Sequence, residues 1–359
     1  MKKISLILLG SFYLTLAKAQ QPIDSIKKVE EEDFSQYANV EVATSNVVTK
    51  KYCSQKIVGL SPAKLISIGY DYVGNNELGL DTFDNIYGNQ ATILNNSGVR
   101  LAANFPVISN NKMILNLGFS YLDFKYRFKE PINNIHPLNY ALAKNGLRSY
   151  GLNGTLFKPL NETHFLILQS SLDLNGDFAL TEFPISEALK ISGALLYGFK
   201  PHERLQYAFG VTRTYRAGEV NYLPIFLYNY TFKNKKWGIE MLLPARANVR
   251  YTFNARNMLF AGFELEGNSY ALTKMTNDFN LIQYKNLQLR RSEIRARITY
   301  ERSLYKFIWI SLQAGYRINY NMNIDNGEFY RGFGDKPYLL NNNLSSALYF
   351  NFSLNLVSP

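Results

Sequence analysis

Apolar and polar residues alternate with a period of two along most of this chain. The clearest stretch is 307–321, FIWISLQAGYRINYN, in which apolar or aromatic residues occupy the even positions from Ile308 to Tyr320 and polar or small residues occupy the odd positions from Ser311 to Asn321. The same pattern recurs at 245–253, 293–300 and 348–356. Strict alternation is typical of a β-strand whose two faces meet different surroundings. Because no comparable helical stretch follows residue 65, the sequence predicts an all-β fold.

The first residues, MKKISLILLGSFYLTLAKAQQ, have the three parts of a secretory signal. Lys2 and Lys3 form a basic start, residues 4–16 are apolar, and Ala17-Lys18-Ala19 has the small-x-small pattern of a cleavage site. The apolar run is too short for a spanning helix. We therefore predict a signal peptide over 1–19, cleavage after Ala19 and export of the chain.

Charge and cysteine content narrow the function classes. The net charge is +11, of which three units come from lysines of the signal, and the other basic residues are dispersed. A dispersed positive charge on an exported chain argues against nucleic-acid binding. The single cysteine, Cys53, excludes an internal disulfide. It lies in the charged segment 20–62, which we expect to be a partly disordered periplasmic lead, and the barrel domain is expected over 63–359.

The alternation fits either a soluble β-sandwich or a transmembrane β-barrel, which turns its apolar face outward to lipid. Four observations favour the barrel: the export signal, strands of about 9–14 residues that can cross a bilayer when tilted, short connections that alternate with long ones, and a predicted size at which an apolar interior would be a void. The long connections are 74–97, 129–146, 175–189, 271–287 and 323–343. We therefore predict short periplasmic turns, long extracellular loops and a location in the outer membrane of a Gram-negative cell.

Fourteen strands satisfy the even count expected of such barrels. They are predicted at 65–73, 98–106, 113–128, 147–157, 164–174, 190–199, 205–216, 222–232, 237–243, 246–254, 258–270, 287–301, 306–322 and 344–356. The stretch 237–254 could form either one strand or two, at 237–243 and 246–254. A turn at Pro244 favours a break there, because proline cannot donate to a strand ladder, and twelve strands is the alternative. Within 113–128 the apolar phase slips, which a β-bulge near Tyr121 explains, as does a strand that continues beyond the membrane.

Both signs of charge occur on the polar faces of neighbouring predicted strands. The charged positions are Arg246, Arg250, Glu264, Glu266, Glu293, Arg295 and Arg297. Opposite charges on adjacent strands form cross-strand pairs that hold register, so we expect a hydrated charge ladder on the lumen wall. A path that selects ions or a ligand is the alternative, since two carboxylates at i and i+2 also suit cation binding or acid–base chemistry.

The sequence predicts no catalytic residue, no metal site and no cofactor. The histidines are His136, His164 and His202, and none has a second histidine or a cysteine within five residues. Between His164 and Ser170 lie six residues of strand, about 20 Å, which is too far for a base and its nucleophile.

The stretch 237–270, WGIEMLLPARANVRYTFNARNMLFAGFELEGNSY, resembles a family of outer-membrane β-barrel proteins from Bacteroidota of undefined function. The resemblance is carried by Trp237-Gly238-Ile239-Glu240, Leu243-Pro244, Arg250-Tyr251 and the run from Glu264 to Tyr270. It implies an outer-membrane barrel and supplies no substrate or catalytic residue.

The function that these observations favour is a porin-like channel or passive transporter for small solutes, gated by its outer loops. The expected partners are outer-membrane lipid, the barrel-assembly machinery and a small solute. A structural or surface-interaction barrel with a closed lumen is the alternative, and a membrane enzyme that uses His164 or Glu266 ranks last.

Overall fold

The structure is a computed structural model that describes residues 52–83, 87–129, 136–179, 185–215, 221–281, 283–284, 286–327 and 338–358. The predicted signal peptide and residues 20–51 lie outside the described residues.

Strands form where the alternation is strict, and each ends at a turn rich in Asn, Gly or Pro. The strands are β1 (Lys64–Val73), β2 (Asn76–Gly79), β3 (Gln90–Asn110), β4 (Met113–Phe128), β5 (Leu147–Pro159), β6 (His164–Gly176), β7 (Leu189–His202), β8 (Leu205–Thr214), β9 (Asn221–Thr231), β10 (Trp237–Leu243), β11 (Arg246–Asn254), β12 (Asn257–Ala271), β13 (Gln288–Tyr305), β14 (Ile308–Asp325), β15 (Asn343–Leu344) and β16 (Ala347–Val357). The helices are α1 (Pro137–Lys144), α2 (Ile185–Ala188) and α3 (Thr273–Asp278).

Fourteen of these strands close into one antiparallel barrel, which confirms the predicted fold and strand number. Closure occurs at β1, which pairs on one side with β3 and on the other with β16. Ile68, for example, lies opposite both Leu101 and Leu354. The predicted break at Pro244 is also confirmed, because β10 and β11 are separate strands that meet in a hairpin there. The two short strands β2 and β15 pair with each other outside the ring.

The barrel has two different ends. We call the end with the short connections, such as 160–163 and 203–204, the turn end, and the opposite end the loop end. The loop end carries β2, β15 and the three helices, which have 8, 4 and 6 residues and leave the barrel all-β as predicted. α1 buries Leu138, Ala141 and Leu142 on one face, a pattern too short to stand out within its polar loop. Among the described residues, no helix has the length and apolar character needed to cross a membrane.

The outer face of the barrel is apolar and aromatic. Exposed side chains include Ile68, Leu152, Leu195, Phe209 and Ile298, which are between 50 and 59% exposed. Rows of aromatic rings lie near the turn end, among them Phe226, Tyr228, Tyr230 and Phe232, with centroids 5.0 to 6.4 Å apart. An outward apolar band flanked by aromatic residues is the surface that a transmembrane barrel presents to lipid.

The phase slip in β4 has a different cause from the expected bulge. The register of β4 against β3 and β5 is continuous through Tyr121, so a bulge there is wrong. Leu122, Phe124 and Tyr126 instead point inward and are at most 8% exposed. They are apolar because the inside of the barrel at the loop end is filled by an apolar core.

This loop-end core joins side chains from strands, loops and helices. Its buried members include Leu78, Phe83, Ile93, Phe124, Leu138, Leu142, Leu272, Met275, Leu289, Ile324, Leu344 and Tyr349. The described parts of the long loops therefore pack over the loop end as a cap.

Candidate functional site: the lumen of the barrel

The lumen has a charged wall built by β12 and β13. The antiparallel register places Glu264 opposite Arg295 and Glu266 opposite Glu293, so all four side chains share the inner face. Arg295 pairs with Glu266 at 2.6 Å and with Glu293 at 2.7 Å, and Arg297 pairs with Glu264. Five of the seven charged residues named from the sequence thus form one cluster.

Two further arginines complete the surroundings of Glu293. Arg291 donates to its carboxylate at 2.9 Å, and the guanidinium of Arg317 on β14 lies 3.2 Å from it. Glu293 is 1% exposed and Arg317 is fully buried. The sequence analysis did not name Arg317 as a member of the charged cluster, although it lies in the alternating stretch 307–321. The other polar residues of that stretch carry no charge, so no charge pattern marked it.

The remaining two predicted residues lie elsewhere. Arg250 is fully buried, contacts Glu240 at 3.4 Å and donates to the hydroxyl of Thr231 at 2.9 Å. Arg246 lies opposite Glu264 in the ladder between β11 and β12, at the loop-end tip of its hairpin. Arg246 is therefore a cross-strand neighbour of the cluster, Arg250 is separate from it, and Glu293 and Arg295 on β13 are buried.

Two contacts cross the lumen. Arg100 on β3 pairs with Asp71 at 3.0 Å and with Glu266 of β12 at 2.8 Å, although β13, β14, β16 and β1 separate β3 from β12 along the wall. Nearer the loop end, Arg291 donates to the hydroxyl of Tyr126 on β4 at 3.2 Å. These contacts narrow the lumen beside the charged wall.

A cavity of about 550 Å³ lies inside the barrel, lined by the strands from β5 to β12 and by Asn104 of β3. Its polar lining is mostly uncharged, with Asn104, Asn153, Thr155, Gln169, Ser171, Ser192 and Thr212, and it also includes the charged pair Arg246 and Glu264. Leu223, Leu242, Pro244, Ala245 and Leu265 line the side next to the β10–β11 hairpin. The cavity can therefore hold a small molecule that has both a polar and an apolar part.

The loop end is closed by a contact between β6 and β12. Gly176 pairs with Ala271, and the Asp177 carboxylate accepts hydrogen bonds from the amides of Lys274 and Met275 at 2.9 and 2.8 Å. Burial raises the pKa of this carboxyl to about 7. This polar clasp holds α3 against the end of β6.

His136 is a second polar group buried in the cap. Its Nδ1 accepts from the amide of Leu138 at the start of α1, and its Nε2 lies 3.0 Å from the carbonyl of Asp81. Burial lowers the pKa of this imidazole. Its two contacts give it a structural role at the start of α1.

At the turn end, residues 52–62 form a strap across the barrel. The amide of Cys53 donates to Asn161 in the β5–β6 turn at 2.9 Å, and the amide of Val58 donates to Glu203 in the β7–β8 turn at 2.8 Å. The ammonium of Lys200, 4% exposed, donates to the carbonyl of Lys56 at 2.9 Å. This part of the expected lead segment is therefore held to the barrel.

Cys53 and the other two histidines show no catalytic arrangement. Cys53 is buried and its Sγ donates to the carbonyl of His164 at 3.4 Å. His164 faces outward, with Nδ1 2.6 Å from the Tyr197 hydroxyl, and His202 is exposed in its turn. The described residues contain no group of three side chains placed to hold a metal ion.

Fold and lumen together define a transmembrane-type β-barrel with a narrowed, partly polar interior. Residues 131–357 match the model of the family described as a domain of unknown function, DUF6268, and the chain belongs to that family. No curated protein sequence matches the chain.

The chain is similar, at low identity, to several solved structures of outer-membrane channels. The COG4313 outer membrane channel from Pseudomonas putida F1 is 12% identical, with a TM-score of 0.39 over 83% of this chain and 97% of that one. The Pseudomonas putida toluene transporter TodX is 10% identical, with a TM-score of 0.32 over 86% and 95%. The outer membrane channel DcaP of Acinetobacter baumannii is 7% identical, with a TM-score of 0.23 over 83% and 100%.

Proposed function

We propose that this protein is a porin-like channel or passive transporter for small solutes. The observation that carries the proposal is the 550 Å³ cavity inside a closed barrel, with a mixed polar and apolar lining whose polar side chains are mostly uncharged. A polar lumen behind an apolar outer face is the arrangement by which transmembrane barrels pass solutes. The cap at the loop end and the strap at the turn end are the two places where the route is gated.

The proposal includes a location in the outer membrane of a Gram-negative cell. Its support is the apolar outer face, the aromatic rows and the export signal at 1–19. Outer-membrane lipid and the barrel-assembly machinery are then the expected partners. Membrane fractionation and N-terminal sequencing test this, with Gln20 expected as the first residue of the mature chain. The resemblance of 237–270 extends the proposal to an origin in Bacteroidota.

Conductance of the purified protein in planar bilayers tests the channel. Arg100→Ala removes the contact that crosses the lumen to Glu266, so we expect it to raise single-channel conductance at least two-fold. Lys158→Ala is the control, because Lys158 is exposed at the end of β5. A wild-type protein and an Arg100→Ala variant that both insert and show no conductance would contradict the proposal.

A structural or surface-interaction barrel is the second candidate. It is favoured by the loop-end core, which fills one end of the lumen with buried apolar side chains. This alternative expects no conductance from the wild type and loss of binding to a surface partner when the tip of loop 323–343 is replaced.

A further inference from the structure

The wall of the barrel is unusually low at the β10–β11 hairpin. β10 has 7 residues and β11 has 9, whereas the neighbouring β12 has 15 and β13 has 18. A transmembrane strand tilted by about 40° needs roughly 9–11 residues to cross the hydrocarbon. At about 3.3 Å per residue, β10 rises about 18 Å, short of an apolar band about 25 Å tall.

The strand ladders end at the same level. Pairing between β9 and β10 begins at Phe226 opposite Leu243, and pairing between β11 and β12 stops at Arg246 opposite Glu264. β9 and β12 both continue beyond this level toward the loop end. The wall is resumed only where Ala271 of β12 meets Gly176 of β6.

The tip of this hairpin is apolar up to Ala245, and the exposed Arg246 follows it at the start of β11. The long connections at the loop end are rich in polar residues, which suit water. Here the turn is Leu243-Pro244-Ala245, which has no polar side chain. An apolar turn avoids the cost of placing polar groups in hydrocarbon.

The cavity reaches this low wall. Its lining includes Pro244 and Ala245 at the hairpin tip, Leu223 on β9, and Leu265 on β12. Leu265 stands between the inward-facing Glu264 and Glu266 in sequence, so it belongs to the outer face of β12. The cavity therefore extends from the inner face of the barrel to the level at which the β10–β11 hairpin ends.

We propose that the low wall over the β10–β11 hairpin is a lateral entrance from the bilayer to the lumen. It admits small, uncharged amphipathic molecules: their apolar part crosses the rim of Leu223, Pro244 and Leu265, and their polar part is received by neutral groups such as Gln169 and Thr212. The inference rests on the proposed channel function and names its substrate class and point of entry.

Thiol labelling tests the entrance. The reporter is Thr212→Cys in a Cys53→Ser background, reconstituted in vesicles. N-cyclohexylmaleimide partitions into the bilayer, and a sulfonated maleimide stays in water. Each labelling rate is divided by the rate at which the same reagent reacts with glutathione in water. We expect this ratio to be at least ten-fold higher for the cyclohexyl reagent than for the sulfonated one. Equal normalised rates would overturn the proposal, since they would show entry through water.

A rim substitution gives the second arm. Leu223→Trp narrows the entrance and is expected to slow labelling by the cyclohexyl reagent at least five-fold. Val211→Trp is the control, because Val211 is 64% exposed on the outer face of β8 and does not line the cavity. No change with Leu223→Trp would also overturn the proposal. Folding is judged by whether heating changes the migration of the protein in gel electrophoresis. If Thr212→Cys does not fold, Thr155→Cys replaces it as the reporter.

Conductance recorded on the same preparations separates the two proposals. Conductance without labelling from the bilayer would remove the lateral entrance and leave the channel in place. Labelling from the bilayer that Leu223→Trp suppresses, in a protein without conductance, would support the entrance and contradict an open aqueous channel.

Discussion

Replacing Glu293 by glutamine removes the negative charge at the centre of the lumen cluster. The carboxylate is 1% exposed and lies within 3.2 Å of the guanidinium groups of Arg291, Arg295 and Arg317. Arg295 keeps Glu266 as a partner at 2.6 Å. Breaking one buried ion pair from one side costs roughly 3–5 kcal/mol, because the other charge stays buried without compensation. We expect Glu293→Gln to lower the free energy of unfolding by about that amount.

Urea unfolding in phospholipid vesicles measures the effect. The expected result is a lower midpoint with an unchanged dependence on urea concentration, since the surface exposed on unfolding is the same. Glu203→Gln is the matched control: its side chain is 77% exposed in the β7–β8 turn, and surface substitutions usually change stability by no more than about 0.5 kcal/mol. A loss below about 1 kcal/mol for Glu293→Gln would refute the reasoning and show that the cluster is well hydrated.

Three further predictions concern the two ends of the barrel. Because burial raises the pKa of Asp177 to about 7 from its ordinary 3.8, the native state holds this proton more tightly. The clasp is then most stable below about pH 4 and weakens as the pH rises to about 7. Hydrogen exchange of the Met275 amide, corrected for the intrinsic exchange rate, measures this as a loss of protection. Protection that rises with pH would be inconsistent with this prediction. Phe124→Ala opens a cavity in the loop-end core and should cost about 3–5 kcal/mol in urea unfolding, whereas a cost under about 1 kcal/mol would mean that the cap is loosely packed. Gly59→Ala forces a side chain into the strap at a φ of 85°, so we expect faster proteolysis between residues 52 and 62, and an unchanged rate would show that the strap is not held by this turn.

The strands were predictable because alternation is a local signal. Side chains of successive strand residues point to opposite faces, so FIWISLQAGYRINYN specifies its strand without reference to the rest of the chain. The strand β4 and the break at Pro244 were located from the same kind of evidence. Helix α1 was not, because a helix of only eight residues gives a weak periodic signal within a polar loop.

The cluster in the lumen was predictable only in part. Residues on adjacent strands, such as Glu264 and Arg297, could be matched by their phase. Arg100 lies 166 residues from Glu266 in sequence, and no local pattern relates their strands. Their contact depends on the closure of the ring, which brings opposite walls of the lumen within reach.

The sequence by itself determined that this chain is an all-β barrel of fourteen strands with an apolar outer face, because strand period, strand length and turn chemistry are all local. The tertiary structure alone decided which inward side chains meet across the lumen, how the loops pack into a cap, and where the wall is low. These features depend on closure and on the relative height of strands that are distant in sequence. The physical reason is that contact energies across the lumen exist only after the first and last strands have paired.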